Sequence, residues 1–182
     1  MSTLKRIEEI MIPLAQYPSV RDDATLKEAV DVIESAQIEV AWRKSLPRVL
    51  LVFDANHVLV GYVRRRDIMR GLEPRHVVSR PLNYARKPFE VAVDFNLSEL
   101  SYDHLVEDIQ KQVRRRVHEV MRPIETTVGA DDHVMKAIQE MVTLDINLIP
   151  VRKGKALVGI VRSVDLFQEL ATLIALGARR GG

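Results

Sequence analysis

The chain has 182 residues, 47% of them apolar, which suffices for the core of one ordinary domain or two small ones and excludes a disordered protein. Its 27 Lys and Arg residues nearly balance 25 Asp and Glu residues, so the net charge of +2 does not demand nucleic acid as a partner. The absence of Cys excludes disulfides and thiolate zinc sites and suits a reducing compartment.

The first predicted elements are a short motif, a strand and a helix. Ile7 to Pro13 contains a Met-x-Pro triplet, and Val20 lies in an apolar stretch that precedes an acidic pair. A helix is predicted next, because Leu26 begins a series of apolar residues with the spacing i, i+3, i+4, i+7. Thr25 and Glu28 have the spacing of a capping box at the start of this helix.

Two strands and a second helix follow. The strands are predicted at Val49 to Phe53 and Val58 to Val63, joined by a turn over residues 54–57. After a short polar segment, Asp67 opens an apolar-periodic stretch that is predicted to be a helix ending at Gly71.

Two stretches of this half lie outside the pattern. Gln37 to Arg48 is a mixed segment that contains the only Trp, Trp42, which we interpret as a core or interface anchor. Leu72 to Arg116 is irregular at first, with three prolines, and then predicts a helix over residues 98–113. A connection of this length indicates a functional or mobile segment.

The second part of the chain repeats the first. Val117 to Pro123 again contains Met-x-Pro, and Val128 again follows, at an offset of 108 instead of 110, so the first copy carries two extra residues at this point. Strands are predicted at Leu148 to Val151 and Ala156 to Val161, joined by a turn around a glycine. A helix between Val128 and these strands is predicted from the spacing of the apolar residues Val134, Ala137, Ile138 and Met141. A last helix, ending at Gly177, is predicted from the apolar residues Leu166, Leu170, Leu173 and Ile174.

The order strand, helix, strand, strand, helix therefore occurs twice. It predicts an α/β protein of the α+β type, in which two repeats bury their apolar faces against each other. We place the first repeat at residues 1–71, the linker at 72–116 and the second repeat at 117–182.

An Asp stands at the strand-to-helix junction of each copy, as Asp67 and Asp165. A carboxylate there can cap the helix, or it can accept hydrogen bonds from a ligand that lies over the helix N-terminus. The residues alone leave both interpretations open.

The two copies resemble the cystathionine β-synthase (CBS) domain and, as a pair, a tandem CBS protein. The resemblance lies in Met-x-Pro, the apolar residue before an acidic pair, the apolar-Ala-apolar helix, the hairpin, and Gly-apolar-apolar-x-x-x-Asp-apolar at Gly61 to Ile68 and Gly159 to Leu166. It implies two CBS repeats that are packed through their sheets with pseudo-twofold symmetry. It also implies a module that binds adenine nucleotides or S-adenosylmethionine in clefts between its repeats, forms a homodimer, and signals allosterically to a protein partner that the sequence does not identify.

The resemblance also implies which residues line the clefts. The junction Asp is expected to accept hydrogen bonds from ribose, and mostly backbone and apolar groups are expected to enclose the base. For the first cleft these residues are Asp67, Arg64, Arg65, Ser19, Val20, Leu50 and Leu51, and for the second they are Asp165, Arg162, Ser163, Thr127, Val128, Ile149 and Pro150. Because the second copy keeps Pro150 and the hydroxyl of Thr127, we expect it to hold the better site.

The chain departs from the family where a Thr or Ser usually stands three residues after the Gly, since here Arg64 and Arg162 occupy that position. Arg could bind a phosphate bidentately and favour polyphosphorylated ligands. It could equally pair with the Asp three residues later and close the cleft, which would leave an oligomerisation scaffold without a ligand.

Other functions have weaker support in the sequence. The five His residues show no metal-ligand spacing, and no catalytic motif is present, so we predict neither a metal, a catalytic cofactor nor an enzyme. The triplets Arg64 to Arg66 and Arg114 to Arg116 are typical of a solvated face, and nucleic acid is not expected. The longest apolar run, Leu170 to Ala178, is far shorter than the roughly 20 residues that span a bilayer, so we expect a soluble cytoplasmic protein.

Overall fold

The computed structural model describes residues 5–40, 43–73 and 102–178. Trp42 and the proline-containing part of the linker lie outside the described residues. A linker helix, α3, is described at Tyr102–Gln112, within the range that the sequence predicted for it.

The first repeat contains the predicted elements and one additional hairpin. Its strands and helices are β1 (Ile12–Pro13), β2 (Ser19–Arg21), α1 (Leu26–Ser35), β3 (Ile38–Val40), β4 (Arg43–Ser45), β5 (Val49–Phe53), β6 (Leu59–Arg64) and α2 (Arg65–Leu72). The additional hairpin, β3 with β4, occupies the mixed segment that contained no strand signal. The capping box begins α1 as expected, with the Thr25 backbone N–H donating to Glu28 Oε2 at 2.6 Å and the Glu28 N–H donating to Thr25 Oγ1 at 3.2 Å.

The second repeat has the same order without that hairpin. It consists of β7 (Arg122–Pro123), β8 (Val128–Gly129), α4 (Val134–Leu144), β9 (Leu148–Lys153), β10 (Ala156–Arg162) and α5 (Ser163–Ala178). The final helix extends one residue beyond Gly177, at which the sequence predicted its end, and α2 likewise extends one residue beyond Gly71.

The N-terminal arm of each copy crosses to the other repeat. One sheet has the strand order β1-β10-β9-β8 and the other β2-β5-β6-β7, so each sheet contains one short strand from the opposite copy. In register, Ile12 lies beside Ile160 and Arg122 lies beside Tyr62. The arms thus interlock the two repeats through backbone hydrogen bonds.

Buried apolar residues hold the arms in place. Ile7, from the first copy, is fully buried in the core of the second repeat, and its backbone N–H donates to the Asp132 carbonyl at 2.9 Å. Val117, from the second copy, is fully buried in the core of the first repeat, and its N–H donates to the Ala24 carbonyl at 2.8 Å. Burying side chains of this size contributes about 1.5–3 kcal/mol each, so both exchanges stabilise the pair.

The glycine of each repeated motif lies directly under the crossing arm. A Cβ atom at Gly61 would stand 2.5 Å from the Arg122 carbonyl oxygen, and one at Gly159 would stand 2.6 Å from the Ile12 carbonyl oxygen. The motif therefore needs glycine for the close approach of a second backbone, not for an unusual backbone angle.

A third apolar cluster lies between the two sheets and joins the repeats. It contains Ile12, Tyr17, Ile38, Leu51, Leu148 and Ile160. This cluster and the two cores inside the repeats bring the C-terminal end of β6 and the C-terminal end of β10 into equivalent positions, each followed at once by a helix.

Candidate functional site

The two junction Asp residues occupy equivalent positions, three residues into their helices. α2 begins at Arg65 and α5 begins at Ser163, so Asp67 and Asp165 are not N-cap residues but stand at the third helical position. The backbone N–H of each first helical residue donates to the carbonyl just before the neighbouring strand, β5 or β9, at 3.1 Å for Arg65 to Arg48 and 3.0 Å for Ser163 to Asn147. These bonds hold both helix starts against their sheets.

Three arginines surround the Asp67 carboxylate, whose side chain is only 1% exposed. Arg64 donates from Nε to Oδ2 at 2.8 Å and from Nη2 to Oδ1 at 3.0 Å, and its backbone N–H lies 3.2 Å from Oδ2. Arg122, on the arm of the other copy, donates from Nε to Oδ1 at 3.2 Å. Arg70 Nη1 lies 3.8 Å from Oδ1, so this carboxylate has cationic partners on three sides.

Burial and the arginines act in opposite directions on this carboxyl group. Burial would raise the pKa of Asp67, but hydrogen bonds from Arg64 and Arg122 outweigh it and hold the pKa below its ordinary value. The hydrogen bond to Asp67 likewise raises the pKa of Arg64. Asp67 is therefore ionised at neutral pH and cannot serve as a proton donor there.

Among the residues that the structure describes, one arginine pairs with Asp165. Arg162 donates from Nε to Oδ2 and from Nη2 to Oδ1, both at 2.8 Å, and its side chain is only 12% exposed. Asp165, at 9%, is covered almost as completely. The arginine-to-aspartate pairing that the sequence offered as one alternative is thus the geometry found in both copies.

Tyr17 lies beside the second pair and was missed by the sequence reasoning. Its side chain is 5% exposed within the cluster between the sheets, and burial, partly offset by Arg162, raises its pKa to about 12. Tyr17 falls in the stretch before Val20 where the first copy carries two extra residues. The two extra residues in the first copy were the feature of the sequence that could have pointed to Tyr17.

Arg122 was missed for a related reason. It is the middle residue of the second Met-x-Pro triplet, where the first copy has Ile12. Ile12 is buried between the sheets, whereas Arg122 is partly exposed and reaches Asp67. The sequence shows that Arg replaces an apolar residue at this motif position. It does not show that the partner of this Arg is Asp67.

The structure brings only some of the other predicted residues to the space between the sheets. Ser19 is exposed and lies in register with Leu51, which belongs to the cluster between the sheets. Pro150 is buried in register with Ile160 of the same cluster, and Thr127 is partly buried just before β8. The side chains that belong to, or pack against, the cores inside the repeats instead are those of Val20, Leu50, Val128 and Ile149.

A cavity of about 330 Å³ lies next to the arginine cluster. Its walls are formed by Asp67, Arg70, Gly71, Arg115, Glu119 and Val120. Arg115 is held in the wall by hydrogen bonds to Glu119 Oε2 at 3.0 Å and to the Gly71 carbonyl at 3.1 Å. Volumes of this size are at the lower end of those found for small-molecule sites.

Among the residues that the structure describes, no group of three or more His, Asp or Glu side chains is placed to hold a metal ion. In the same part of the chain, no helix is both long and apolar enough to cross a membrane. The arrangement is rich in guanidinium hydrogen-bond donors, which bind anions such as phosphate.

Comparisons with known proteins agree with this architecture. The family model of the CBS domain matches residues 7–74 and 117–172. A search of curated proteins found no match.

Solved structures of CBS-domain pairs superimpose on the chain. The CBS domain of a CBS domain containing membrane protein from Sphaerobacter thermophilus is 24% identical, with a TM-score of 0.60 over 91% of this chain and 87% of that one. The CBS-pair protein CBSX2 from Arabidopsis thaliana is 18% identical, with a TM-score of 0.58 over 98% and 99%. A structure of CBSX2 in complex with AMP is 15% identical, with a TM-score of 0.58 over 92% and 97%. At these identities the likeness confirms the predicted fold and does not identify a ligand.

Proposed function

The chain belongs to the CBS domain family, and from that premise we propose that it is a stand-alone regulatory module for an adenine nucleotide or S-adenosylmethionine. The ligand binds in the clefts between the repeats and changes the affinity for a protein partner. The module has no catalytic role.

One observation carries this proposal. Asp67 and Asp165 stand at equivalent strand-to-helix junctions, and each forms a salt bridge with the arginine three residues earlier. A ligand with both sugar hydroxyls and an anionic group can replace each half of such a pair. Its anionic group, a phosphate or the carboxylate of S-adenosylmethionine, pairs with the guanidinium, and its ribose hydroxyls donate to the carboxylate that is released. A neutral or purely apolar ligand would leave both buried charges without partners, at a cost of several kcal/mol.

The solved complex of CBSX2 with AMP supports the ligand class, because that protein has the same fold. Ligand binding regulates the partner through thermodynamic linkage. If the module has two conformational states, the ligand changes the affinity for the partner only as far as the ligand binds these two states with different affinity. The interlocked arms supply a route for this, because Arg122 lies on an arm strand and contacts Asp67 directly.

A thermal shift assay tests the proposal with AMP, ADP, ATP and S-adenosylmethionine. Ligand at about 100 times its dissociation constant adds roughly 2.7 kcal/mol of stability. For a chain of this size that corresponds to a rise in Tm of about 5–10 °C. No shift with any of the four ligands at millimolar concentration would remove the proposal.

Matched variants locate the ligand. Asp67→Asn and Asp165→Asn each remove the charge from one junction while keeping the shape of the side chain. Asp31→Asn is the control, because Asp31 is exposed on α1 and pairs only with Lys27 in the described residues. We expect the Tm shift to fall in at least one junction variant and to persist in the control.

A second function, an oligomerisation scaffold without a ligand, is favoured by the near-complete burial of both carboxylates under their arginines. Exposed apolar side chains on α5, at Val164, Phe167 and Ile174, offer a surface for the homodimer. This function predicts that Phe167→Glu reduces the oligomer in sedimentation analysis while no nucleotide changes the Tm. A nucleotide-dependent Tm shift would exclude it.

A further inference from the structure

The two clefts differ sharply in charge and in filling. Three guanidinium groups lie within 4 Å of the Asp67 carboxylate, whereas the Asp165 carboxylate is covered by Arg162 and has the buried Tyr17 nearby. We propose that the cleft at Asp67 is a polyphosphate site and that Tyr17 closes the cleft at Asp165, so that each chain binds one polyphosphorylated nucleotide. This deepens the proposed function and rests on it.

Charge at the Asp67 cleft favours a polyanion. Arg64, Arg70 and Arg122 contribute three positive charges against one negative charge, a local excess of two. Asp145 and Glu125 exert a weaker electrostatic influence on this cleft, through Arg64 and Tyr62. A monophosphate brings about two negative charges and three terminal oxygens, whereas a diphosphate or triphosphate brings more of both and so gains more from three guanidinium groups.

The arginines of this cleft are accessible to a ligand. The exposed fractions of the side chains are 28% for Arg64, 40% for Arg122 and 62% for Arg70, against 12% for Arg162 in the other cleft. Arg65, which follows Arg64 in the chain, has a buried Nε without a hydrogen-bond partner among the residues that the structure describes.

The cavity beside the cluster provides room for a phosphate chain. Arg70 and Asp67 belong to both the cluster and the wall of the 330 Å³ cavity, and Arg115 extends the line of cations along it. The charged side chains of the cleft therefore extend along the wall of the cavity.

The Asp165 cleft is filled by the chain itself. Tyr17 and Ile12 are both buried between the sheets, and the 3-10 turn Leu14–Gln16 before Tyr17 is held by the bond from the Tyr17 N–H to the Leu14 carbonyl at 3.1 Å. At the position of Ile12 the second copy has Arg122, and its shorter connection contains no tyrosine. Our sequence-based preference for the second copy therefore gives way to the first in this proposal.

Isothermal titration calorimetry of the full chain tests the proposal with adenosine, AMP, ADP, ATP, S-adenosylmethionine and inorganic tripolyphosphate. We expect one ATP per chain, an affinity that rises with each phosphate and is at least tenfold higher for ATP than for AMP, and competition between tripolyphosphate and ATP. Two equivalent ATP molecules per chain, or adenosine binding as tightly as ATP, would overturn it. If tripolyphosphate binds and no adenine compound does, the proposed function is wrong and the polyphosphate site is supported. If no compound binds, the proposed function and the polyphosphate site are both wrong.

Two variants assign the effect to residues. Arg122→Gln should lower the affinity for ATP about tenfold, the loss of one charge-assisted hydrogen bond, and leave the affinity for adenosine unchanged. Arg152→Gln is the matched control, because Arg152 is exposed on β9 in the other repeat. Equal losses in the two variants would mean a general effect of charge and would refute the site. Arg70→Gln, at the most exposed of the three arginines, replaces Arg122→Gln if that variant does not fold.

Tyr17→Ala tests the closed cleft. We expect the number of ATP molecules per chain to rise above one, with a second and weaker event in the titration. A stoichiometry that stays at one in a folded variant, judged by circular dichroism, would show that Tyr17 is not what closes the cleft. Tyr17→Val, which leaves more apolar contact, serves if the alanine variant does not fold.

Discussion

Gly61→Ala should destabilise the protein by pushing the crossing arm away from its sheet. The new Cβ would stand 2.5 Å from the Arg122 carbonyl oxygen, and ordinary contact begins at 3.4 Å, so β7 must move by about 0.9 Å. This displacement strains the pairing of Tyr62 with Arg122 and lengthens the 3.2 Å hydrogen bond from Arg122 to Asp67. Forcing an extra carbon into a packed position typically costs 1–3 kcal/mol, which lowers the Tm of a chain of this size by about 2–12 °C.

The assay is urea denaturation followed by circular dichroism, with Gly129→Ala as the matched control. At Gly129 the three atoms nearest to a new Cβ all belong to the Asp131 and Asp132 side chains, the closest at 3.1 and 3.2 Å, so a shift of a few tenths of an ångström in these side chains suffices and no backbone has to move. We therefore expect a clearly smaller loss of unfolding free energy in the control. If Gly61→Ala costs no more than Gly129→Ala, the arm does not lie over the glycine and the reasoning is refuted.

Two further predictions concern the arms and the buried carboxylate. Ile7→Ala should cost about 2–5 kcal/mol of unfolding free energy, because Ile7 fills the core of the opposite repeat, whereas Val142→Ala, at an exposed position on α4, should change it by less than about 0.5 kcal/mol; equal values in urea denaturation would contradict the exchange of arms. Because the pKa of Asp67 is lowered in the folded state, its ionised form stabilises the fold above the unfolded pKa, and this contribution is lost as the pH falls through the folded pKa. The difference in unfolding free energy between wild type and Asp67→Asn should therefore be largest at neutral pH and shrink below about pH 4, and a difference that does not depend on pH would be evidence against the ionised pair.

Local patterns in the sequence determined most of the secondary structure. The strand at Val49–Phe53 has its predicted bounds, and α1 begins beside the capping box of Thr25 and Glu28. Both depend on residues within one or two turns of each other, where alternation, helical spacing and capping act directly. The pairing of Arg64 with Asp67 was also foreseeable, because residues three apart on a helix start are neighbours.

The repetition in the sequence likewise determined the fold, since two copies of one strand-helix-strand-strand-helix unit must bury equivalent faces. The additional hairpin β3–β4 was not predicted, because its short strands carry no regular alternation.

What only the tertiary structure decided is which parts of the two copies meet. Arg122 and Asp67 are 55 residues apart, and their contact exists only because the arm of the second copy joins the sheet of the first. Tyr17 lies beside the Arg162 and Asp165 pair for the matching reason, since the arm of the first copy joins the sheet of the second. Sequence spacing records neighbours along one element, whereas the exchange of arms is a long-range pairing that the total burial of Ile7 and Val117 stabilises. The two copies therefore share a backbone pattern, and the different residues that the arms deliver make their clefts unlike.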